Sequence, residues 1–222
     1  MKKIIVLLVL TTVFGNLQAQ KQHDDPDKDK KKKIEELFDV MLGAGLSTIT
    51  GGGASAVAGG QVGVGTNVYS FNKSLSINAA IAGSLQGAKY SGYSYTIPTD
   101  TSNYYPTGTT SKETLRLFYL AIPVTAKYKF GNGFYAEAGL QPSFLLSAKY
   151  KANGSSEDYK DQMNTFDLGI PIGAGYYFSQ HFFAGIRIVP GVTNISKNSG
   201  LGYEYDKKHH NFLGMVRLGY AF

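Results

Sequence analysis

Hydrophobic and polar positions alternate with a period of two along most of the chain after Leu37. In residues 211–222 the even positions carry Phe, Gly, Val, Leu, Tyr and Phe, whereas the odd positions include an Asn and an Arg. Residues 134–149 and 166–178 repeat this pattern. A period of two is typical of β-strands, and no apolar run after Leu37 approaches the length of a transmembrane helix. The pattern therefore predicts an all-β domain.

The two faces of these strands differ in the size and polarity of their side chains. One face carries large apolar and aromatic residues, and the other carries Gly, Ala, Ser, Asn and Gln with an occasional charge. A soluble barrel needs the reverse, with large apolar residues inside and charged residues outside. Small and polar residues suit the concave inner face of a barrel, and a nearly charge-free outer face suits lipid. We therefore predict a transmembrane antiparallel up-and-down β-barrel with a polar interior.

Eight segments carry the alternation, and an even number is typical of single-chain bacterial barrels. Tight turns alternate with long loops, an arrangement in which the short turns face the periplasm. The predicted strands are 38–48, 60–70, 75–88, 115–130, 134–149, 165–178, 181–195 and 211–222. The predicted tight turns are Asn72-Lys73-Ser74, Gly131-Asn132-Gly133 and Ser179-Gln180, and the predicted long loops are 49–59, 89–114, 150–164 and 196–210.

Aromatic residues concentrate beside the three tight turns. Their position at one end of successive strands predicts an interfacial girdle in a chain that has no Trp. The alternative is that Tyr and Phe are simply good strand formers. The residues concerned are Tyr69, Phe71, Tyr128, Phe130, Phe134, Tyr176, Phe178, Phe182, Tyr220 and Phe222.

The first 36 residues differ from the rest of the chain. Residues 1–19 combine a Lys pair, an apolar stretch over 4–14 and a small residue before the cleavage point, which predicts a secretory signal peptide. The apolar stretch is too short for the alternative, a membrane anchor. Residues 20–36 are rich in Lys, Asp and Glu, so we expect a flexible periplasmic tail. The barrel domain is then 37–222.

Composition excludes several classes of function. The chain has 222 residues, a formal net charge of +6 and no Cys. The absence of Cys excludes disulfides and thiolate metal sites, and the mild positive charge predicts no nucleic-acid partner. Asp25, Asp27 and Asp29 lack the glycine and the final glutamate of a calcium loop. We therefore expect no cofactor and no metal site.

Eight short stretches, among them Tyr119–Pro123, Gly133–Gly139 and Gly173–Tyr176, form a recurring set of motifs. They resemble the small outer-membrane β-barrel family of Bacteroidetes, whose members are described as porin-family or PorT-like proteins. The resemblance implies an eight-stranded barrel in the bacterial outer membrane and transfers no catalytic residue. Phe222 resembles the aromatic C-terminal signal through which the barrel-assembly machinery recognises its substrates. We expect a monomer with outer-membrane lipid and lipopolysaccharide as further partners. The stretches are Tyr119–Pro123, Lys127–Gly131, Gly133–Gly139, Ser147–Lys149, Phe166–Gly169, Gly173–Tyr176, Gly185–Arg187 and Gly191–Ile195.

Charged residues recur on the predicted inner face. A barrel of eight strands has little interior room beyond its own side chains, and buried charges persist when they are paired. We therefore expect a structural charge network that fills the lumen, and the alternative is a narrow permeation path or proton relay. The predicted network is Lys127, Glu137, Asp167, Arg187 and Arg217, with Lys129 and Lys149 also on this face.

The loop 89–114 is rich in Tyr on a background of Ser, Thr, Gly and Pro. Tyrosines in such a setting are typical of recognition surfaces, because they give contact area at low entropic cost. Alternatively, the third and fourth strands extend above the membrane and these residues pair there. The loop tyrosines are Tyr90, Tyr93, Tyr95, Tyr104 and Tyr105.

An enzymatic role is a third class. Some barrels of this size act as lipid A acyl hydrolases or transferases, with Ser, His and an acid near the outer rim. His209 and His210 lie in the last loop, with Ser196, Ser199 and Glu204 as companions. No nucleophile motif accompanies them, so we expect no catalytic residue. The sequence favours a structural or surface-binding role with a plugged lumen over a small-solute porin or a secretion-accessory barrel.

Overall fold

The computed structural model describes residues 38–51, 53–96, 107–152, 154–197 and 208–222, with only the backbone described for 92–96 and 107–111. These residues belong to one compact unit, Glu36–Phe222. The signal peptide and the charged tail predicted from the sequence lie outside them. The strands are β1 (Asp39–Thr50), β2 (Val57–Ser70), β3 (Leu75–Thr96), β4 (Thr107–Ala121), β5 (Val124–Lys129), β6 (Phe134–Ala152), β7 (Ser155–Asp158), β8 (Phe166–Gly169), β9 (Ile172–Tyr177), β10 (Phe182–Pro190) and β11 (His210–Ala221).

The strands form a closed antiparallel ring. β4 with β5, and β8 with β9, are each one barrel strand in two parts, and the short β7 adds to β6 beside them. Each barrel strand pairs with its neighbour in sequence, and β1 pairs with β11 from Asp39–Ala221 to Thr50–His210. The predicted eight-stranded up-and-down barrel is confirmed. Closure leaves no unpaired sheet edge.

Proline residues interrupt two of the barrel strands without opening the ring. Pro123 separates β4 from β5 and Pro171 separates β8 from β9, because proline has no N–H to donate to the ladder. Their carbonyl groups still accept hydrogen bonds from neighbouring strands, from the N–H of Ala80 at 2.9 Å and of Gly139 at 3.0 Å respectively.

Large apolar side chains cover the outside of the barrel and polar ones fill the inside. Leu42, Ile186 and Val216 are each at least 60% exposed, whereas Gln61 and Arg217 are 4% and 3% exposed. This is the inside-out arrangement that the alternation predicts. In the part of the chain that the structure describes, no helix has the length and apolar character needed to cross a bilayer.

The predicted inner and outer faces of residues 134–149 are wrong at the upper end of this strand. Tyr119 pairs with Leu145 and Phe118 pairs with Ser147, so a β-bulge leaves one extra residue on β6. The alternation shifts by one beyond it, so Ala148 is buried and Lys149 faces outward. Lys149 therefore does not belong to the interior.

The two ends of the barrel differ. At the end with tight turns, aromatic rings of neighbouring strands contact each other, as in Phe134–Tyr176 and Phe182–Tyr220, both with ring centroids 4.8 Å apart. At the other end, β3 and β4 continue to pair up to Thr96 and Thr107. Much of the loop predicted over 89–114 is therefore a two-stranded extension.

A cysteine pair can test the ring closure, because the chain contains no Cys. Ala44 and Val216 are cross-strand partners at the β1–β11 seam. Antiparallel partners lie about 4.5–5.5 Å apart at Cα, within the range that a disulfide bridges. We expect the A44C/V216C variant to form an intramolecular disulfide upon oxidation in membranes, seen as a gel shift that reductant reverses.

The matched control combines Ala44→Cys with Leu218→Cys, which places the second cysteine two residues away from the paired position. This diagonal separation is too long for efficient bridging. Equal crosslinking of the two pairs would contradict the register at the seam.

Candidate functional site in the barrel interior

Cross-strand register brings four charged residues to one height in the lower half of the barrel, toward the tight turns. Lys127 pairs with Glu137 across β5 and β6, and Gly173 of β9 lies between Glu137 and Arg187 of β10. Arg217 of β11 pairs with Gly185, two residues before Arg187. All four charged side chains face inward, and we call them the charge cluster.

Glu137 is the anion of the charge cluster. Its Oε1 accepts hydrogen bonds from Arg187 Nε at 2.7 Å and Nη2 at 2.6 Å, and from Nη2 of Arg217. The three side chains are almost fully buried. Arg217 also donates to the hydroxyl of Tyr135 at 3.3 Å. One carboxylate thus joins two guanidinium groups from strands at the C-terminal end of the chain.

Lys127 lies among three aromatic rings at the lower end of the charge cluster. Its Nζ is 5.3 Å from the ring centre of Tyr135, 5.5 Å from that of Phe183 and 5.9 Å from that of Tyr177. The Tyr177 hydroxyl is 3.4 Å from Nζ. The negative faces of aromatic rings stabilise a buried ammonium group.

Glycines opposite the large side chains make this layer possible. A Cβ on Gly173 would lie 2.8 Å from Oε1 of Glu137, and a Cβ on Gly219 would lie 2.0 Å from the Phe183 ring. The absence of a side chain at these positions lets the carboxylate and the ring cross the neighbouring strand. The small residues of the inner face are therefore complements of specific large ones.

Asp167 lies apart from the charge cluster. Its Oδ1 accepts a hydrogen bond from the Thr193 hydroxyl at 2.6 Å, and its Oδ2 accepts one from Asn211 Nδ2 at 2.8 Å. Asn211 also donates to the Tyr119 hydroxyl at 3.1 Å. Neutral donors satisfy this buried carboxylate, so of the five predicted charges four come together and Asp167 does not.

An amide layer lies between these two groups. Gln61 Nε2 donates to Ser84 Oγ at 3.2 Å and to Gln141 Oε1 at 3.3 Å, and all three residues are buried. These contacts cross the barrel between β2 and β6. They close its middle with side chains.

An apolar cluster that the predicted polar interior does not include fills the upper interior. Met163 and Ile195 come from connections between strands, which fold inward and join by the Met163–Ser196 bridge. Met163 lies in the predicted loop 150–164, where no alternation applies. Ile195 lies in the predicted strand 181–195, but β10 ends at Pro190 and Ile195 belongs to the connection that follows. We call the group the upper plug. Its members are Ile49, Ala88, Leu115, Leu117, Tyr119, Leu145, Ala148, Met163 and Ile195.

A small cavity of about 20 Å³ adjoins the charge cluster, with Met41, Thr125 and Phe183 also in its wall. Such a volume holds about one water molecule. Among the described residues, no group of three or more His, Asp and Glu side chains could hold a metal ion.

The predicted loop tyrosines have different positions. Tyr90 packs on the upper plug, and burial raises the pKa of its hydroxyl to about 12, so it stays neutral. Tyr93 and Tyr95 pair through their backbone with Thr110 and Gly108 in the two-stranded extension. The remaining two, Tyr104 and Tyr105, lie outside the described residues.

The two histidines considered for catalysis, His209 and His210, contact the connection that follows β10. His209 is buried, and its backbone N–H donates to Asn194 Oδ1 at 3.0 Å. The Nδ1 atom of His210 is 2.9 Å from the Thr193 carbonyl oxygen. Ser199 and Glu204 lie outside the described residues, as do Asp25, Asp27 and Asp29.

Phe222 lies in the aromatic end of the barrel. Its ring stacks on Phe38 with centroids 4.5 Å apart, and its N–H donates to the Phe38 carbonyl at 2.9 Å. The chain end is thereby fixed to the start of β1.

A family model described as the outer-membrane protein beta-barrel domain matches residues 54–197, more than half of the chain. A search of curated protein sequences finds no match.

Three solved structures show the level of structural similarity. Neisserial surface protein A is similar over 83% of this chain and 97% of its own, with 12% identity and a TM-score of 0.52. Ail of Yersinia pestis gives 13% identity, the same coverages and a TM-score of 0.44. The outer-membrane protease OmpT of Escherichia coli gives 14% identity, coverages of 76% and 65% and a TM-score of 0.42. The similarity to Neisserial surface protein A shows the fold alone.

Replacement of Glu137 by Gln should destabilise the barrel strongly. The variant leaves the buried guanidinium groups of Arg187 and Arg217 without their carboxylate, and such a loss costs about 3–5 kcal/mol. Guanidinium titration of the detergent-refolded protein, followed by circular dichroism, measures the change in unfolding free energy.

The matched control is Glu157→Gln, the same chemical change on the exposed face of β7. An exposed substitution of this kind should leave stability nearly unchanged. Equal stability of the two variants would show that Glu137 does not anchor the charge cluster.

Proposed function

The chain belongs to the outer-membrane β-barrel family, and we propose that it serves there as a sealed barrel with a structural or surface-binding role. Its place is the bacterial outer membrane. The proposal assigns no reaction to the chain.

The filled interior is the observation that carries the proposal. A solute moving along the barrel axis would meet the charge cluster, the amide layer around Gln61 and the upper plug in turn. Charged and apolar layers hinder different solutes, so their combination opposes both ion and small-molecule passage. An eight-stranded barrel has no further width in which a path could lie.

The upper end of the barrel supports a role at the surface. β3 has 22 residues and β4 has 15, whereas about 9–11 residues suffice to cross a bilayer. The excess forms the two-stranded extension, which includes Tyr93 and Tyr95. A projecting ribbon with tyrosines is suited to contact with a partner outside the membrane.

A finer family assignment is also proposed. The stretches Tyr119–Pro123, Gly133–Gly139 and Gly173–Tyr176 support membership in the porin-family or PorT-like group of Bacteroidetes. They lie at the end of β4, at the tight turn and start of β6, and in β9.

Planar-bilayer recording tests the sealed lumen. We expect the folded wild-type protein, inserted at known density, to give no steady conductance steps in 1 M KCl. A general-diffusion porin in the same bilayer serves as the positive control. Reproducible steps from the wild-type protein would contradict the proposal and favour the small-solute pore.

A further inference from the structure

Basic residues cluster on the outer surface of β3, β4 and β6, just beyond the upper edge of the apolar exterior. On each strand they alternate with inward-facing residues, as Lys149 does with the buried Ala148 and Lys89 with the buried Ala88. Lys160 follows β7 and donates from Nζ to the Leu146 carbonyl at 3.0 Å. We call this group the basic rim. Its members are Lys89, Lys112, Arg116, Lys149, Lys151 and Lys160.

The height of the basic rim matches the edge of a bilayer. Twelve residues separate Phe134, in the aromatic end, from Leu146 on β6. At about 3.3 Å per residue and a tilt of about 45°, this span rises about 28 Å, close to the hydrocarbon thickness. The same spacing separates Tyr128 from Arg116 on β5 and β4. The rim therefore lies where lipid head groups begin.

Aromatic side chains mark the apolar side of this edge. Phe118, Phe144 and Phe166 are each more than 40% exposed, and the rings of Phe144 and Phe166 are 5.8 Å apart. They lie on neighbouring barrel strands directly below the basic rim. An apolar surface capped by positive charge is the form of a lipid-binding site with an anionic head group.

Two basic residues of the rim lie side by side on neighbouring strands. Arg116 and Lys149 are direct cross-strand partners, although like charges in such positions repel. Asp158, opposite Lys149 on β7, uses Oδ1 to accept the backbone N–H of Lys160 at 2.9 Å. Within the described part of the chain, the ammonium groups of Lys89 and Lys149 make no hydrogen bond or salt bridge. The rim thus holds a surplus of positive charge.

Two strands beside the rim lack basic residues at this height: β1 ends in Thr48 and Thr50, and β2 begins with Val57 and Ala58. Arg116 reaches this side, where its Nη1 donates to the Ala58 carbonyl. Further exposed lysines at this end, Lys197 and Lys208, lie in the connection between β10 and β11.

We propose that the basic rim binds the phosphate groups of a glycolipid in the outer leaflet, the lipid A part of lipopolysaccharide. The ammonium groups of Lys89 and Lys149 contact phosphate oxygens, and the acyl chains pack on Phe118 and Phe144 below. The site requires the long connections to face the outside, as in the proposed function. It does not depend on whether the lumen conducts.

Binding of lipid A to the folded protein in zwitterionic detergent tests this site. Native mass spectrometry counts bound lipid for the wild type and for the K89E/K149E variant. Each lysine near an anionic surface contributes about fivefold in affinity, so the double reversal should weaken binding by at least about 25-fold. The matched control is Lys73→Glu, an exposed lysine in the tight turn at the opposite end, which should bind like the wild type.

Two further binding measurements identify the ligand. Dephosphorylated lipid A should bind far more weakly than lipid A, and inorganic phosphate alone should not compete at millimolar concentration. Heat-modifiable migration of each variant shows that it folds. We expect folding because both substituted lysines are exposed. Equal binding by K89E/K149E and the wild type, or equal binding of the dephosphorylated lipid, would overturn the proposal. Tighter binding of a soluble polyanion than of lipid A would also overturn it.

Discussion

Closure of the sheet at the β1–β11 seam is the constraint on which the rest of this structure depends. Within a bilayer no water can satisfy an exposed N–H or C=O group, so a sheet must pair its first strand with its last. Closure with eight strands fixes a narrow interior. Each inward side chain must then fit against those of the facing strands, and each outward one must suit lipid.

The composition of the inner face follows from that narrow width. Glu137 crosses over Gly173, the Tyr135 ring lies against Gly175, and the Phe183 ring lies over Gly219. Gly173, Gly175 and Gly219 are therefore spatial partners of side chains that fill the lumen. The charge cluster adds a polar connection between β6 and the last two strands, and it joins the middle of the sequence to its C-terminal end.

Much of the fold could be predicted from the sequence, because lipid imposes a strict alternation of large apolar and small or polar residues. The site was harder to predict. The bulge that turns Lys149 outward was hidden because Leu145 and Leu146 are both apolar, so alternation looks unbroken there. The upper plug depends on Met163, which lies in a connection without periodicity, and on Ile195, where the alternation continues beyond the end of β10 at Pro190. Strand register determines which charged side chains contact each other. Asp167 and Glu137 both face inward, so direction alone does not show that only Glu137 belongs to the charge cluster.

The chain folds as a closed, lipid-facing barrel held by its own strand pairing. Heat-modifiable gel migration of the outer-membrane fraction tests it most directly, because a closed barrel resists cold SDS and unfolds on boiling. We expect a faster band for the unboiled protein and a single slower band, near the mass of the unfolded chain, after boiling. Identical migration of the two samples would contradict it.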